Sequence, residues 1–281
     1  MIEIIFLITL ALIWIIFAMI QDLRNKEIAN WLNFSLIIFA FGFRFFYSLF
    51  LANNFNFFYQ GIIGLGIFFV LGNALYYGKM FAGGDAKLII ALGVILPFSE
   101  GFITNVQSFV LFFIIFLSIG AFYGLFISFF LSLKNFKNMK KEFIRYVKKY
   151  KKIISCVMVG GLFLMILGFV ESLFFWIGVL AFIYPYLYIY AKAVDKACMI
   201  KGIKSRNLRE GDWLYKNLKI GNKVIRAKWE GLSEKEIKLI QRKYKKVLIR
   251  NGIAFSPVFL ISFIIFVALY FLRINLWDSF W

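Results

Sequence analysis

The chain contains no histidine. That removes Ser-His-Asp triads, Cys-His pairs and the H-E-x-x-H zinc site, and leaves any metal chemistry to carboxylates alone. Cysteine is nearly as scarce. Cys156 and Cys198 stand far apart, no C-x-x-C pair occurs, and a disulfide is not expected. No G-x-x-x-x-G-K-[ST] loop is present, so a P-loop phosphate cradle is excluded. Neither a cofactor nor a bound metal is implied. Ser132 with Lys134 and Ser155 with Lys152 supply the parts of a Ser–Lys dyad, but most interface serines are caps or solvated. Acidic residues are also few, 14 against 33 Lys and Arg.

Apolar residues are what the chain has in excess: 62% are hydrophobic, with 38 Phe, well above the share in soluble domains. A bilayer crossing needs about 20 residues at 1.5 Å rise. Runs of that size fall at 2–20, 31–51, 57–77, 106–133 and 253–272. The stretch 153–190 is too long for one span and is broken at Glu171, which predicts a hairpin. The run 86–98 reaches span length if extended to 84–102. The expected fold is an all-α polytopic membrane protein, a bundle of about eight (six to eight) transmembrane helices with a small α+β cytoplasmic domain. Nothing basic precedes the first span and no small-residue cleavage site follows it, so it is not expected to be a removable signal peptide.

Net charge is +19, and its distribution is asymmetric. With the N-terminus outside and eight alternating spans, 31 of the 33 basic residues fall on one side, in 21–30, 78–87, 134–152 and 192–250. The opposite loops, 52–56 and 99–105, carry none; Arg44 inside a span and Arg273 near the C-terminus are the remainder. The positive-inside rule makes the basic side cytoplasmic. Juxtamembrane lysines also attract anionic headgroups, which makes membrane lipids partners. No nucleic-acid-binding motif accompanies the charge, and a nucleic-acid partner is not expected.

The acids can be sorted completely. Glu3, Glu100, Glu171 and Asp278 lie outside in this topology, and Glu142, Asp195, Glu210, Asp212, Glu230, Glu234 and Glu236 lie in basic loops. Asp22, Glu27 and Asp85 remain, where helices leave the membrane on the basic side. Asp22 alone could simply meet headgroups, and Asp85 in "GGD" could cap a helix N-terminus. Two aspartates at one depth, in a chain this sparing with acids, fit a shared site better. Paired carboxylates cannot both ionise cheaply, so one keeps a proton while the other acts as base. Such a pair activates water against a peptide carbonyl without histidine or metal. Gly83 and Gly84 would permit unusual backbone angles and close approach of another backbone, such as an extended substrate.

"QDLRNKEIANWLNF" (21–34) and "FAGGDAKL" (81–88) resemble the two catalytic stretches of the type IV prepilin peptidases, the second being the G-x-G-D-x-K motif of the GxGD membrane aspartic proteases. The resemblance is to the archaeal branch, which processes preflagellins (prearchaellins) and prepilins. It extends to "REGDWL…KWEGLSEKEI…NGIAFSPVFL" (209–260) and leans towards the prepilin-processing subgroup. It implies that Asp22 and Asp85 are the catalytic dyad, that Lys87 is the motif lysine with Gly83 and Gly84 in support, and that Arg24 and Asn30 belong to the first motif. Lys87 either biases a carboxylate towards ionisation or snorkels to headgroups. Two positions depart from the pattern: Ala82 replaces the first motif glycine, and Ala29 replaces the usual proline. A backbone needing positive φ at 82 would be strained by alanine. Bacterial relatives often add a cysteine loop and N-methylate the product; without C-x-x-C pairs, this chain is expected only to cleave.

The expected organisation is a transmembrane catalytic core (1–133), a basic amphipathic cytoplasmic loop (134–152), a transmembrane hairpin (153–190), a small cytoplasmic domain (191–252) and a last span with its tail (253–281). Within the small domain "LKIGNKVI" predicts a β-hairpin around Gly221-Asn222. Ser233 and Glu236 form a capping box. Ile237, Ile240, Tyr244 and Val247 mark a helix stripe closed by Asn251-Gly252.

The expected activity is that of a membrane aspartic endopeptidase in the cell membrane. Its active site would face the cytoplasm, and it would remove short basic leaders from type IV pilin-like or archaellin precursors. Two alternatives stand beside it. A presenilin-like intramembrane protease would need its first aspartate mid-helix and a late P-A-L motif, which "YPYLY" (184–188) is not. A non-enzymatic transporter or assembly scaffold would show internal repeats or midplane polar residues, of which Arg44 is the single charged instance.

Overall fold

A computed structural model describes residues 1–221 and 223–272; Arg273, Asp278 and the Asn222 half of the expected turn lie outside the described residues. The chain divides into two compact units, residues 1–124 with 253–281, and residues 125–252. Among the described residues, six helices are long and apolar enough to cross a membrane. The fold is that of a polytopic membrane protein with a small strand-containing region.

The first unit holds α1 (Ile2–Asn25), α2 (Asn30–Tyr47), α3 (Asn56–Tyr77), α4 (Gly83–Ile95), the first part of α5 (Phe102–Lys134), and α9 (Ser256–Phe271). Lipid tails are as apolar as leucine, so helices here associate through close packing and polar contacts rather than by escaping water. Both are visible around α4. This helix has 13 residues and is buried on nearly every side, with Leu88, Ile89, Ala91, Leu92, Val94 and Ile95 all inaccessible. Its backbone meets that of α3 directly: a Cβ on Gly64 would lie 2.2 Å from the Gly93 carbonyl oxygen. Any side chain at that crossing would force the two helices apart.

The run 84–102 is not helical throughout, because α4 stops at Ile95, two residues before Pro97. Ending a helix among apolar side chains strands its last carbonyls. Arg44 of α2, fully buried, satisfies them. Its Nε donates to Val94 O (2.8 Å), and Nη2 donates to Pro97 O (2.6 Å) and Ile95 O (3.3 Å). Nη1 reaches Phe57 O at the start of α3 (2.7 Å), and the guanidinium carbon sits 4.2 Å from the centre of the Phe57 ring. The isolated charge in span 31–51 is therefore a helix-end clamp, with the fork geometry that guanidinium provides and ammonium lacks.

Phe109, Phe112 and Phe116 of α5 interleave with Phe259, Phe263 and Phe266 of α9 to complete this core, Phe116 and Phe259 having centroids 4.8 Å apart.

In the second unit, α6 (Phe136–Leu167) and α7 (Ser172–Val194) form the expected hairpin, with Glu171 at the N-cap of α7. The basic stretch 134–152 is not a separate element. No Gly or Pro interrupts 136–159, and the basic and apolar parts run as one helix. Strands β1 (Ile200–Lys204), β2 (Trp213–Leu214) and β5 (Lys246–Arg250) make an antiparallel sheet in the order β1-β5-β2, while β3 (Leu218–Ile220) pairs β4 (Lys223–Ile225) as a hairpin. α8 (Glu234–Lys243) carries the capping box: Ser233 N–H donates to Glu236 Oε2 (3.0 Å) and Glu236 N–H to Ser233 Oγ (3.4 Å).

The helix stripe through Val247 is overturned. α8 ends at Lys243, Tyr244 has the extended angles φ −112°, ψ 131°, and residues 246–250 are β5. The segment K-V-L-I-R alternates with period two. Val247 and Ile249 point into the core with Leu208, Leu214, Ile237 and Ile240, and both edges of the strand are paired. Two ladders outweigh one more helical turn, and Asn251-Gly252 follows a strand rather than closing a helix.

Two outcomes follow. Arg44→Met leaves four carbonyls without their donor, at a cost of about 1–3 kcal/mol for each buried unsatisfied group. It is expected to abolish a cooperative thermal transition in detergent, with Arg44→Lys giving only partial recovery. Ser233→Ala should weaken α8 by about 1 kcal/mol, measured as faster amide hydrogen exchange in that helix. Glu236 is held below its ordinary value of 4.5, first by the Ser233 N–H and then by Lys228. The cap's contribution is therefore complete above pH 4.5 and fades as pH falls through the lowered value.

Candidate active site

Asp22 lies in the last turn of α1 and is 7% exposed. Its backbone carbonyl accepts the Lys26 N–H (2.8 Å), and Lys26 takes the left-handed conformation, φ 62°, that ends the helix. The side chain faces inward, where Oδ2 accepts the backbone N–H of Ser256 at the start of α9 (3.1 Å).

Asp85 enters from α4. The N-cap is Ala82, so Asp85 is the third helical residue and not the cap; the positive end of the helix still favours its carboxylate. The structure brings this first turn beside the end of α1, close enough for the charge of Asp22 to act on Asp85. The third suspect, Glu27, is exposed. Among the described residues, no cluster of three metal-ligating side chains is present.

The motif departures cause no strain. Ala82 has φ −68° and ψ 160°, ordinary extended angles for alanine. Ala29 has φ −64°, the value proline would impose, and its N–H, which proline lacks, donates to Gln21 Oε1 (3.1 Å).

The two glycines differ. Neither has positive φ. A Cβ on Gly83 would meet only the Tyr76 ring at 3.6 Å, whereas one on Gly84 would lie 3.2 Å from Ile28 Cβ and 3.3 Å from Ile28 N. The backbone that approaches Gly84 is thus the chain's own α1–α2 connection, where an extended substrate was the expectation. Lys87 neither pairs with a carboxylate nor stays free: its ammonium donates to Asn30 Oδ1 (2.6 Å), tying α4 to the start of α2. Arg24 is exposed.

Both aspartates fall within one region of resemblance to known proteins. Residues 9–132 match the type IV leader peptidase family. Two preflagellin peptidases are similar to part of the chain. That of Methanocaldococcus jannaschii is 32% identical over 85 residues, covering 30% of this chain and 36% of the relative. That of Methanococcus maripaludis is 31% identical over 83 residues, covering 30% and 35%. The chain spans about a third of the length of the curated relatives it matches. No solved structure matches.

Three groups around Asp22 and Asp85 escape sequence reasoning. Asn33, 1% exposed, donates from Nδ2 to Gly84 O (3.4 Å) and leaves Oδ1 buried without a partner. It stands one turn after Asn30, on the buried face of α2 that also carries Leu36, Ala40 and Arg44, and that periodicity was a usable signal. Tyr123 on α5 donates its hydroxyl to Ala254 O (3.0 Å). Ser256 arrives from the far end of the chain, marked only by "SPV" opening an apolar run.

Gly83→Ala is expected to fold and insert as the parent does. Gly84→Val should push α4 away from Ile28 at an overpacking cost of about 1–3 kcal/mol. The pair is read by detergent thermal stability and by the yield of inserted protein.

Proposed function

We propose that this chain is an aspartic endopeptidase of the membrane, hydrolysing the peptide bond that joins a short basic leader to the hydrophobic helix of type IV pilin-like precursors. The feature that carries the reading is the pair Asp22 and Asp85, 63 residues apart in sequence, at facing helix ends and both inside the stretch that resembles the type IV leader peptidase family.

In this reading, one carboxylate takes a proton from water as the oxygen adds to the scissile carbonyl carbon, and the partner carboxyl gives its proton to the carbonyl oxygen. The gem-diol then returns a proton to the second carboxylate while the first protonates the departing nitrogen as the C–N bond breaks. One water is consumed, and the pair regains its single shared proton. The charge pattern supports a site on the basic, cytoplasmic side of the membrane. Precursor helices would dock laterally among the spans, and lipids would solvate the rest. The lean towards prepilins draws no support from the two relatives, both named preflagellin peptidases. The presenilin-like alternative draws none from Asp22, which lies in the final turn of its helix.

Membranes carrying the parent chain, Asp22→Asn or Asp85→Asn are tested on a co-expressed pilin-like precursor, with product N-termini read by mass spectrometry. The parent should release one defined leader, and each normally inserted variant should lose at least about 10²–10⁴-fold in rate, the usual weight of a general acid or base. Cleavage by a well-inserted variant would overturn the two-aspartate mechanism.

A further inference from the structure

Helix α9 lies outside the matched region and has no capping side chain of its own. Phe255 at the N-cap offers no acceptor, Pro257 has no N–H, and the Val258 N–H is taken by Phe255 O (3.0 Å). The Ser256 N–H is the donor left at this end. Asp22 Oδ2 accepts it at 3.1 Å, across 234 residues of sequence, with Ser256 fully buried. The strap leading into α9 is held firmly. Tyr123 binds the Ala254 carbonyl, and the Phe255 ring packs on Phe81 and Phe116 with centroids 5.1 and 5.7 Å away. The donor is therefore aimed before any substrate arrives.

A hydrogen bond from an amide, and the positive end of a helix, both favour the charged form of a carboxylate. Asp85 also feels a helix N-terminus, but among the described residues no hydrogen bond reaches its carboxylate. We propose that the Ser256 N–H makes Asp22 the charged member of the pair and so the general base, leaving the proton and the role of general acid to Asp85. Ser256 is then a positioning residue that acts through Asp22. The inference rests on the proposed peptidase reading, and assigns within it which carboxylate takes the proton from water.

The groups around Asp22 are few. Asp85 comes from α4 and the Tyr123 phenol from α5. The start of α2 contributes the neutral Asn30 and Asn33, with the Lys87 ammonium of α4 bound to Asn30, the first turn of α9 nothing titratable, and the end of α1 the exposed Arg24 and Lys26.

The test follows kcat against pH for leader release from a full-length pilin-like precursor, reconstituted in liposomes with the full-length peptidase. Ser256→Pro deletes the N–H; proline suits the first helical position but disfavours the helical angles of the residue before it, Phe255 at φ −100° and ψ −14°. Its acid limb should move up by about one pH unit, a tenfold loss on that limb, since hydrogen bonds to charged groups are of that order. Ser256→Ala keeps the N–H and, whatever its rate, should keep the parent's limb. Should Ser256→Pro fail to insert, an ester in place of the 255–256 amide removes the same N–H, which makes no intrahelical bond at this position; the same shift is expected. A limb that stays put in the folded N–H-deleted protein, with Asp22→Asn and Asp85→Asn both inactive, overturns this assignment alone. Retained cleavage by Asp22→Asn overturns the peptidase reading and the assignment with it.

Discussion

An α-helix that ends among apolar side chains leaves carbonyls with nothing to bond, and the first unit depends on how one such end is closed. The guanidinium of Arg44 engages three carbonyls at the end of α4 and one at the start of α3. With that end closed, α4 can be short and buried on nearly every side, with Asp85 in the first turn at its other end. Lysine could not do all of this, because it has three donors on one nitrogen, whereas the three guanidinium nitrogens reach four carbonyls. The Gly64–Gly93 contact then brings α3 against α4 at backbone distance, so α4 is held along its length as well as at its tip.

The same logic governs the site itself. Each helix end there is completed by a different segment of chain. Lys26 closes α1 through the Asp22 carbonyl, Ile28 fills the space that Gly84 leaves open, Asn33 binds the Gly84 carbonyl, and the Asp22 carboxylate takes the free amide of α9. None of these contacts is strong alone. Their effect is positional: two acids that sequence places 63 residues apart are held within electrostatic reach. Helices in lipid gain little from burying more apolar area, so such polar and backbone contacts decide the arrangement.

Within the second unit, the error at Val247 shows why short segments mislead. Ile237, Ile240, Tyr244 and Val247 satisfy a helical spacing as well as a strand's alternation satisfies K-V-L-I-R. The outcome was settled by β1 and β2, strands 33 or more residues earlier, which pair with β5 on both edges. The capping box behaved differently. All its hydrogen bonds lie within four residues, so no distant partner could overrule it.

What the sequence by itself determined is what rests on composition and local order. These are the apolar runs that become membrane-length helices, the absence of histidine that excludes histidine chemistry, the two aspartates at helix ends, and the break at Glu171. Tertiary structure alone decided the truncation of α4 at Ile95, the work of Arg44, the steric demand at Gly84 but not Gly83, and the meeting of Ser256 with Asp22. The physical reason is one of range. Hydropathy and capping act over a few residues and are written into neighbouring letters. Whether a buried carbonyl or carboxylate finds its donor depends on which distant segment the packing delivers, and no local pattern encodes that.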